Sequence, residues 1–186
     1  DEENEVFELY GYEDRGYNTG RRVIPEFGSD VAREVILSAS EWLNGEIKND
    51  GAFIYGYYPT YDRQFTAYNL LRHAVSIQPL IWHYKITNSE KLIPGARKTI
   101  DFMTNSHVGY KDTGIAFILD KPNSEVKLGG NALAIITLEL YMRTFDTDEY
   151  LQLCIDLGNG ILELMDLEKG TFYHVLNMDF SPKEEF

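Results

Sequence analysis

Two stretches of this chain are apolar nearly all the way round a helix, and each opens on a few polar and small residues. The first, over about 66–87, carries Leu70, Leu71, Ala74, Val75, Ile77, Leu80, Ile81 and Trp82 behind the opening Tyr68-Asn69-Leu70-Leu71-Arg72-His73-Ala74. The second, over about 131–145, carries Ala132, Leu133, Ala134, Ile135, Ile136, Leu138 and Leu140 behind Lys127-Leu128-Gly129-Gly130-Asn131-Ala132. A helix that is apolar on most sides has to be buried on most sides. A shift of 58 residues lays Ala74 on Ala132, Ile77 on Ile135 and Leu80 on Leu138, and Asn88-Ser89-Glu90 on Asp146-Thr147-Asp148. The spacing predicts a repeated unit of inner apolar helix, capped turn, outer amphipathic helix and short aromatic strand. Such a unit cannot bury its own faces and stacks on neighbours.

The remaining segments fit around those two helices. Residues 1–28 lack a helical period and are broken by Gly11, Gly16 and Gly20, which predicts an extended arm with a brief strand at Val6-Phe7-Glu8-Leu9-Tyr10. Ser29 or Asp30 can cap a first helix to about Asn44, with Val31, Val35, Ala39, Trp42 and Leu43 on one face. The turn signal Asn49-Asp50-Gly51 leads into an aromatic extended segment, 52–59. Asn88 or Ser89 is expected to cap a third helix to about Asn105, with Pro94 making its start irregular, and Thr147 to cap a fifth. Pro79 is expected to kink the second helix. Residues 114–120 and 125–128 read as a hairpin about Pro122-Asn123-Ser124, and 170–176 as one more strand.

Composition excludes several partners. With 186 residues and a formal charge of −13, the chain lacks the concentrated Lys and Arg that nucleic acid or an anionic membrane surface requires. No apolar run approaches the roughly 20 residues that span a bilayer. The chain starts at Asp1, so secretion after removal of a signal stays open, and the compartment is not fixed. A single Cys154 leaves neither a disulfide framework nor a cysteine-rich metal site, and no cofactor or metal is expected. Thirteen tyrosines exceed what a small helical core needs, and suit stacking on sugars or peptides.

Over about 29–178 the repeat, together with Arg72-His73-Ala74 and Gly129-Gly130-Asn131-Ala132, resembles the α/α-toroid or six-hairpin enzymes. That group includes sugar epimerases, unsaturated-glucuronyl hydrolases and other glycosidases, terpene cyclases, prenyltransferases and lanthionine cyclases. The resemblance implies a mainly α fold of (α/α)-toroid hairpins with short β-hairpins in the loops, an arm over 1–28 and a partial toroid over 29–186. About two and a half hairpins are present where a full toroid has five to seven, so the chain is expected to continue in a longer parent or to self-associate. Zinc-dependent branches need cysteine and histidine ligands that one Cys cannot supply. Asp146-Thr147-Asp148-Glu149 reads as a helix cap rather than an acid motif. The sugar-processing branches survive.

Helix N-termini offer free N–H groups and partial positive charge to an anionic or hydroxyl-rich ligand. Tyr68, Asn69, Arg72, Lys127 and Asn131 are the expected ligand contacts there, with Tyr55 and Tyr57 as stacking platforms and Arg72 as a two-pronged grip on a uronate carboxylate. His73 and His174 suit proton abstraction and return in an epimerase. Glu168 stands for the carboxylates of a glycosidase, drawn from a pool with Asp112, Asp120 and Glu125. The competing reading has Arg72, His73 and Asn131 satisfying loop carbonyls between units. The expected function is a carbohydrate-active protein with an epimerase-like or glycosidase-like cleft. The alternative is a non-catalytic helical-repeat module that binds glycan or protein.

Overall fold

A computed structural model describes Phe7–Tyr10, Thr19–Arg22 and residues 28–183 of the chain. Most of the expected arm therefore lies outside the described residues. Within it, β1 (Phe7–Tyr10) and β2 (Thr19–Arg22) pair antiparallel. Contacts divide the chain into two units, Asp1–Leu37 and Ser38–Phe186. The second unit holds the inner helices and the sheets described below.

The protein is mainly α, with five α-helices and short antiparallel strands among the described residues: α1 (Ser29–Gly45), α2 (Leu70–Thr87), α3 (Ile93–His107), α4 (Leu128–Phe145) and α5 (Leu151–Glu163). Their ends correct several expectations. α2 starts at Leu70 rather than 66, because Asn69 is its cap and accepts the Arg72 N–H at 3.2 Å. Asn88 does not open α3; it closes α2 in the left-handed conformation, φ 55°. Ser89 instead caps a single 3₁₀ turn, Glu90–Leu92, and Pro94 falls in the first turn of α3, where its missing N–H costs nothing. α4 begins at Leu128, taking Gly129 and Gly130 into its first turn. Thr147 does not cap α5: its hydroxyl accepts the Glu149 N–H in the preceding turn, and the helix begins at Leu151 behind Tyr150 without a side-chain cap. α2 continues past Pro79 to Thr87.

The strands also differ from expectation. β5 (Val108–Asp112), which has no clear apolar alternation, pairs with β6 (Ile115–Asp120), and β6 pairs in turn with β7 (Glu125–Lys127). Residues 170–176 are not one strand: β9 (Thr171–Phe172) pairs with β8 (Met165–Asp166), and β10 (Val175–Asn177) pairs with β7. The resulting sheet runs β10-β7-β6-β5. In the aromatic loop, β3 (Tyr57–Tyr58) and β4 (Arg63–Gln64) form a two-stranded hairpin.

α2 and α4 lie side by side and parallel. Leu71 sits against Gly129 at one end, and the Thr137 hydroxyl donates to the Ala74 carbonyl at 2.9 Å further along. Both helices are buried on most sides, with Ile77, Leu80, Ile81, Ala134 and Leu138 fully covered, while Val75, Trp82 and Ile136 remain on open flanks. On α1, Val35 and Trp42 are exposed rather than core. Asn88 and Asp146 close α2 and α4 alike, each with positive φ and each sending its N–H to the carbonyl four residues back. Successive outer segments are joined by ion pairs spanning 50 to 52 residues, Lys91–Glu41, Arg97–Glu149 and Lys111–Glu163. All three are exposed, so they mark register more than they stabilise.

β6 reaches α5 so closely that a Cβ on Gly160 would stand 2.1 Å from the Ala116 carbonyl oxygen. Gly160→Ala is expected to lower unfolding free energy by about 2–3 kcal/mol, since a backbone atom cannot step aside as a side chain can. Gly158→Ala, with nothing within 4 Å, is the control for helix propensity in a denaturant titration. Among the described residues no helix is long and apolar enough to cross a membrane.

Candidate functional site

Within the second unit the N-termini of α2 and α4 and the C-terminal part of α3 come together, and most of the expected contact residues gather there. Asn123, in the 3₁₀ turn Lys121–Asn123, joins the two helix mouths. Its side-chain N–H group donates to the Tyr68 carbonyl at 3.0 Å and to Asp120 Oδ2 at 2.9 Å. On the α4 side, Lys127 Nζ donates to Asp120 Oδ2 at 3.0 Å and to Glu125 Oε2 at 3.1 Å, and Lys183 also pairs with Glu125. On the α2 side, the Arg72 guanidinium lies 5.2 Å from the centre of the Tyr55 ring, which packs on Tyr68 and Phe65. Arg72 is exposed and has no carboxylate partner among the described residues.

Charge at the mouth is set by these pairings. Hydrogen bonds from Lys183 and Lys127 hold the Glu125 carboxyl below its usual range. Burial works against the Lys127 ammonium, but its bonds to Asp120 and Glu125 outweigh that and push its pKa up. Asp120 is 2% exposed, and its Oδ1 is a buried acceptor without a partner. Asp120, Asn123, Glu125 and Lys183 carry this cluster, yet only Asp120 and Glu125 stood in the expected pool, without distinction. A signal was present: the predicted hairpin makes Asp120 and Glu125 cross-strand neighbours and puts Lys127 on Glu125's face.

His73 is placed differently from a free acid or base. The Phe53 N–H donates to the Tyr68 hydroxyl at 3.0 Å, so the Tyr68 proton points to His73 Nδ1, 2.6 Å away. His73 Nε2 then carries the hydrogen and donates to the Thr99 carbonyl at 2.9 Å. This tautomer follows from the network. Burial, only partly offset by the Thr99 carbonyl, pushes the His73 pKa down to about 4. Burial likewise pushes the Tyr68 phenol up to about 12, against the Phe53 N–H. Phe53, Tyr68 and Phe102 surround the imidazole. Both nitrogens of His73 are thus taken, and the residue ties the loop after α1 to α2 and α3.

Asn131 is fully buried, accepting the Ile118 N–H at 2.8 Å and donating to the Lys127 carbonyl at 2.9 Å. Its side chain links α4 to β6. His174 is exposed beside the α4 mouth, where its carbonyl accepts the Leu128 N–H at 2.9 Å in place of a side-chain cap. His174 and His73 share neither a hydrogen bond nor a ring contact among the described residues. Glu168 is exposed in the β8–β9 turn, its N–H on Asp166 Oδ1 at 3.1 Å, and it meets neither histidine. Tyr57 is exposed, with its hydroxyl donating to Asp62.

Beside the mouth is a cavity of about 260 Å³ lined by Tyr58, Arg63, Gln64, Phe65, Thr66 and Ala67. A larger hollow of about 660 Å³ lies at the far ends of α4 and α5, among Glu139, Met142, Arg143, Asp146, Asp148 and Leu151. It is wide open and lacks aromatic platforms, and Arg143 is already paired with Glu139. The mouth, with its aromatic wall, exposed Arg72 guanidinium and buried carboxylate, is the better-formed site. No cluster of three or more His, Cys, Asp and Glu able to hold a metal exists among the described residues. No protein-family model and no curated protein matches the chain.

Proposed function

We propose that the protein is carbohydrate-active and binds its ligand at the α2 and α4 mouths, in a partial α/α-toroid architecture. One observation carries the reading: Arg72 stacks on Tyr55 without a carboxylate partner among the described residues, and Asn123 links this rim to the buried Asp120–Lys127–Glu125 cluster. A sugar ring finds an aromatic face there, and a uronate carboxylate finds a guanidinium whose N–H edge is open. The parallel inner helices, with equivalent caps 58 residues apart, support the toroid. Self-association, or a further stretch of a longer chain, would cover the open flanks at Val75, Trp82 and Ile136.

Glycosidase-like or epimerase-like turnover is the first reading, with Asp120 or Glu125 as the carboxylate nearest the mouth. A non-catalytic glycan-binding module is the second, favoured by the engagement of both His73 nitrogens. Thermal-shift screening against uronate and neutral oligosaccharides, with product analysis of each hit, separates them: turnover excludes the module. Arg72→Ala is expected to weaken uronate binding about tenfold or more, the range of one charge-assisted contact. Stability should change by under about 1 kcal/mol, as for an exposed cation–π pair. Unchanged binding by this variant would exclude Arg72 from the ligand face.

A further inference from the structure

A second guanidinium stands at the outer edge of the same aromatic wall. The β3–β4 pairing sets Tyr58 opposite Arg63, whose guanidinium lies 5.4 Å from the Tyr58 ring centre and 5.7 Å from that of Tyr61. The neighbouring carboxylate of Asp62 does not pair with it. Asp62 accepts the Tyr57 hydroxyl and turns the chain at φ 49°. Arg97 and Arg143 each hold a glutamate, whereas Arg63, like Arg72, has no carboxylate partner among the described residues.

Among the described residues, these two guanidiniums without a carboxylate partner are conspicuous in a chain of net charge −13. Packing alone does not account for the outer one. Tyr58 and Tyr61 are 43% and 71% exposed, so the stack covers no core and contributes only about 0.5–1 kcal/mol. Stacking occupies the flat face of a guanidinium and leaves its in-plane N–H fork free for a carboxylate or sulfate. The two arginines are joined by one run of rings: Tyr58 meets Phe65 at 4.1 Å, Phe65 meets Tyr55 at 6.5 Å, and Arg72 lies over Tyr55. Arg63, Tyr58 and Phe65, at the outer part of this run, line the cavity of about 260 Å³.

We infer that the β3–β4 hairpin is a second anion subsite, so that the ligand is an acidic oligosaccharide held by Arg72 near the mouth and by Arg63 further out. Sugar rings stack on the aromatic run between the two. The inference rests on the carbohydrate reading of the mouth and adds a requirement for length and for repeated negative charge. A single uronate fills one guanidinium. A longer acidic chain fills both, and the second contact is made without a second loss of translational freedom.

The test is calorimetric titration of the full chain with galacturonate oligomers of two, four and six units, a sulfated galactan series and neutral xylose oligomers. The variants are Arg63→Gln and Arg63→Lys, with melting curves confirming that each is folded. The wild type is expected to gain about tenfold or more in affinity from the shortest to the longest member of an acidic series, the worth of one added charge-assisted contact. Whichever series shows the gain tells carboxylate from sulfate. Arg63→Gln should abolish the gain with length, and Arg63→Lys should keep part of it. A gain that persists in folded Arg63→Gln, or neutral oligomers bound as tightly as acidic ones, would overturn the second subsite and leave the carbohydrate reading standing. If no oligosaccharide of any series binds, the carbohydrate reading fails and the subsite with it.

Discussion

Lys127→Met is expected to lower the unfolding free energy by about 3 kcal/mol, the low end of the range for breaking a buried ion pair. The low end applies because the Lys127 side chain is 25% exposed, so water screens part of the attraction, while Asp120 is 3% exposed. Asp120 Oδ1 already lacks a partner, and without Lys127 its charge would rest on the Asn123 amide alone. Methionine preserves the length of the stem, so the loss reports the charge rather than packing. The double variant Lys127→Met/Asp120→Leu should recover most of the loss, since it removes the stranded carboxylate as well. Urea unfolding at pH 7 measures all three proteins. A loss below about 1 kcal/mol for Lys127→Met would place the pair in effectively aqueous surroundings.

The second large effect is a pH dependence carried by His73. Its folded pKa of about 4 lies below the ordinary 6.5, because burial penalises the charged imidazolium. Between these values the unfolded chain binds the proton and the folded one does not, so protons favour unfolding. Stability from this group is full above about pH 6.5 and falls as the pH drops towards 4, by about 3 kcal/mol in all. His107 is shifted in the same direction by burial and adds to the slope, while Glu125, held low by its lysines, adds further loss at more acidic pH. Denaturant titrations at pH 7, 6, 5 and 4.5 on wild type and His73→Gln isolate the term. Wild type should show the steeper decline, with the variant less stable at pH 7 but losing less as the pH falls. Equal slopes in the two proteins would mean that His73 takes up its proton without leaving the Tyr68–Thr99 bridge.

Much of the helical layout is legible in residue order, because burial on several sides demands apolar residues on several sides. That is why α2 and α4 can be read directly as helices buried on most sides. Helix starts were less legible. Leu128 begins α4 although two glycines follow, because its N–H finds the His174 carbonyl, a partner 46 residues away that local sequence cannot supply. β5 is hidden for a similar reason: Val108-Gly109-Tyr110-Lys111-Asp112 has little apolar alternation, and β6 holds it in place.

At the site, residue type identified where polar groups gather but not how they are spent. Arg72 and His73 are neighbours at one helix mouth, yet Arg72 turns outward over Tyr55 and His73 inward between Tyr68 and Thr99. Asn131 likewise spends its amide on Ile118 and Lys127 rather than on the cleft. Asp120 and Glu125 were indistinct among four loop carboxylates until β6 and β7 brought them to Lys127. Arg63 is not legible in the sequence because its meaning lies in two tyrosine rings, Tyr58 and Tyr61, and in an Asp62 that already accepts the Tyr57 hydroxyl.

The claim that the α2 and α4 mouths form the ligand face is tested most directly by mapping backbone amide NMR shifts during titration with galacturonate hexamer and with a neutral xylose hexamer. The account predicts shifts concentrated at Tyr55, Arg63, Phe65, Arg72, Asn123 and Lys127, stronger with the acidic oligomer. Shifts confined to the hollow around Met142, Asp146 and Leu151, or no shifts with either oligomer, would contradict it.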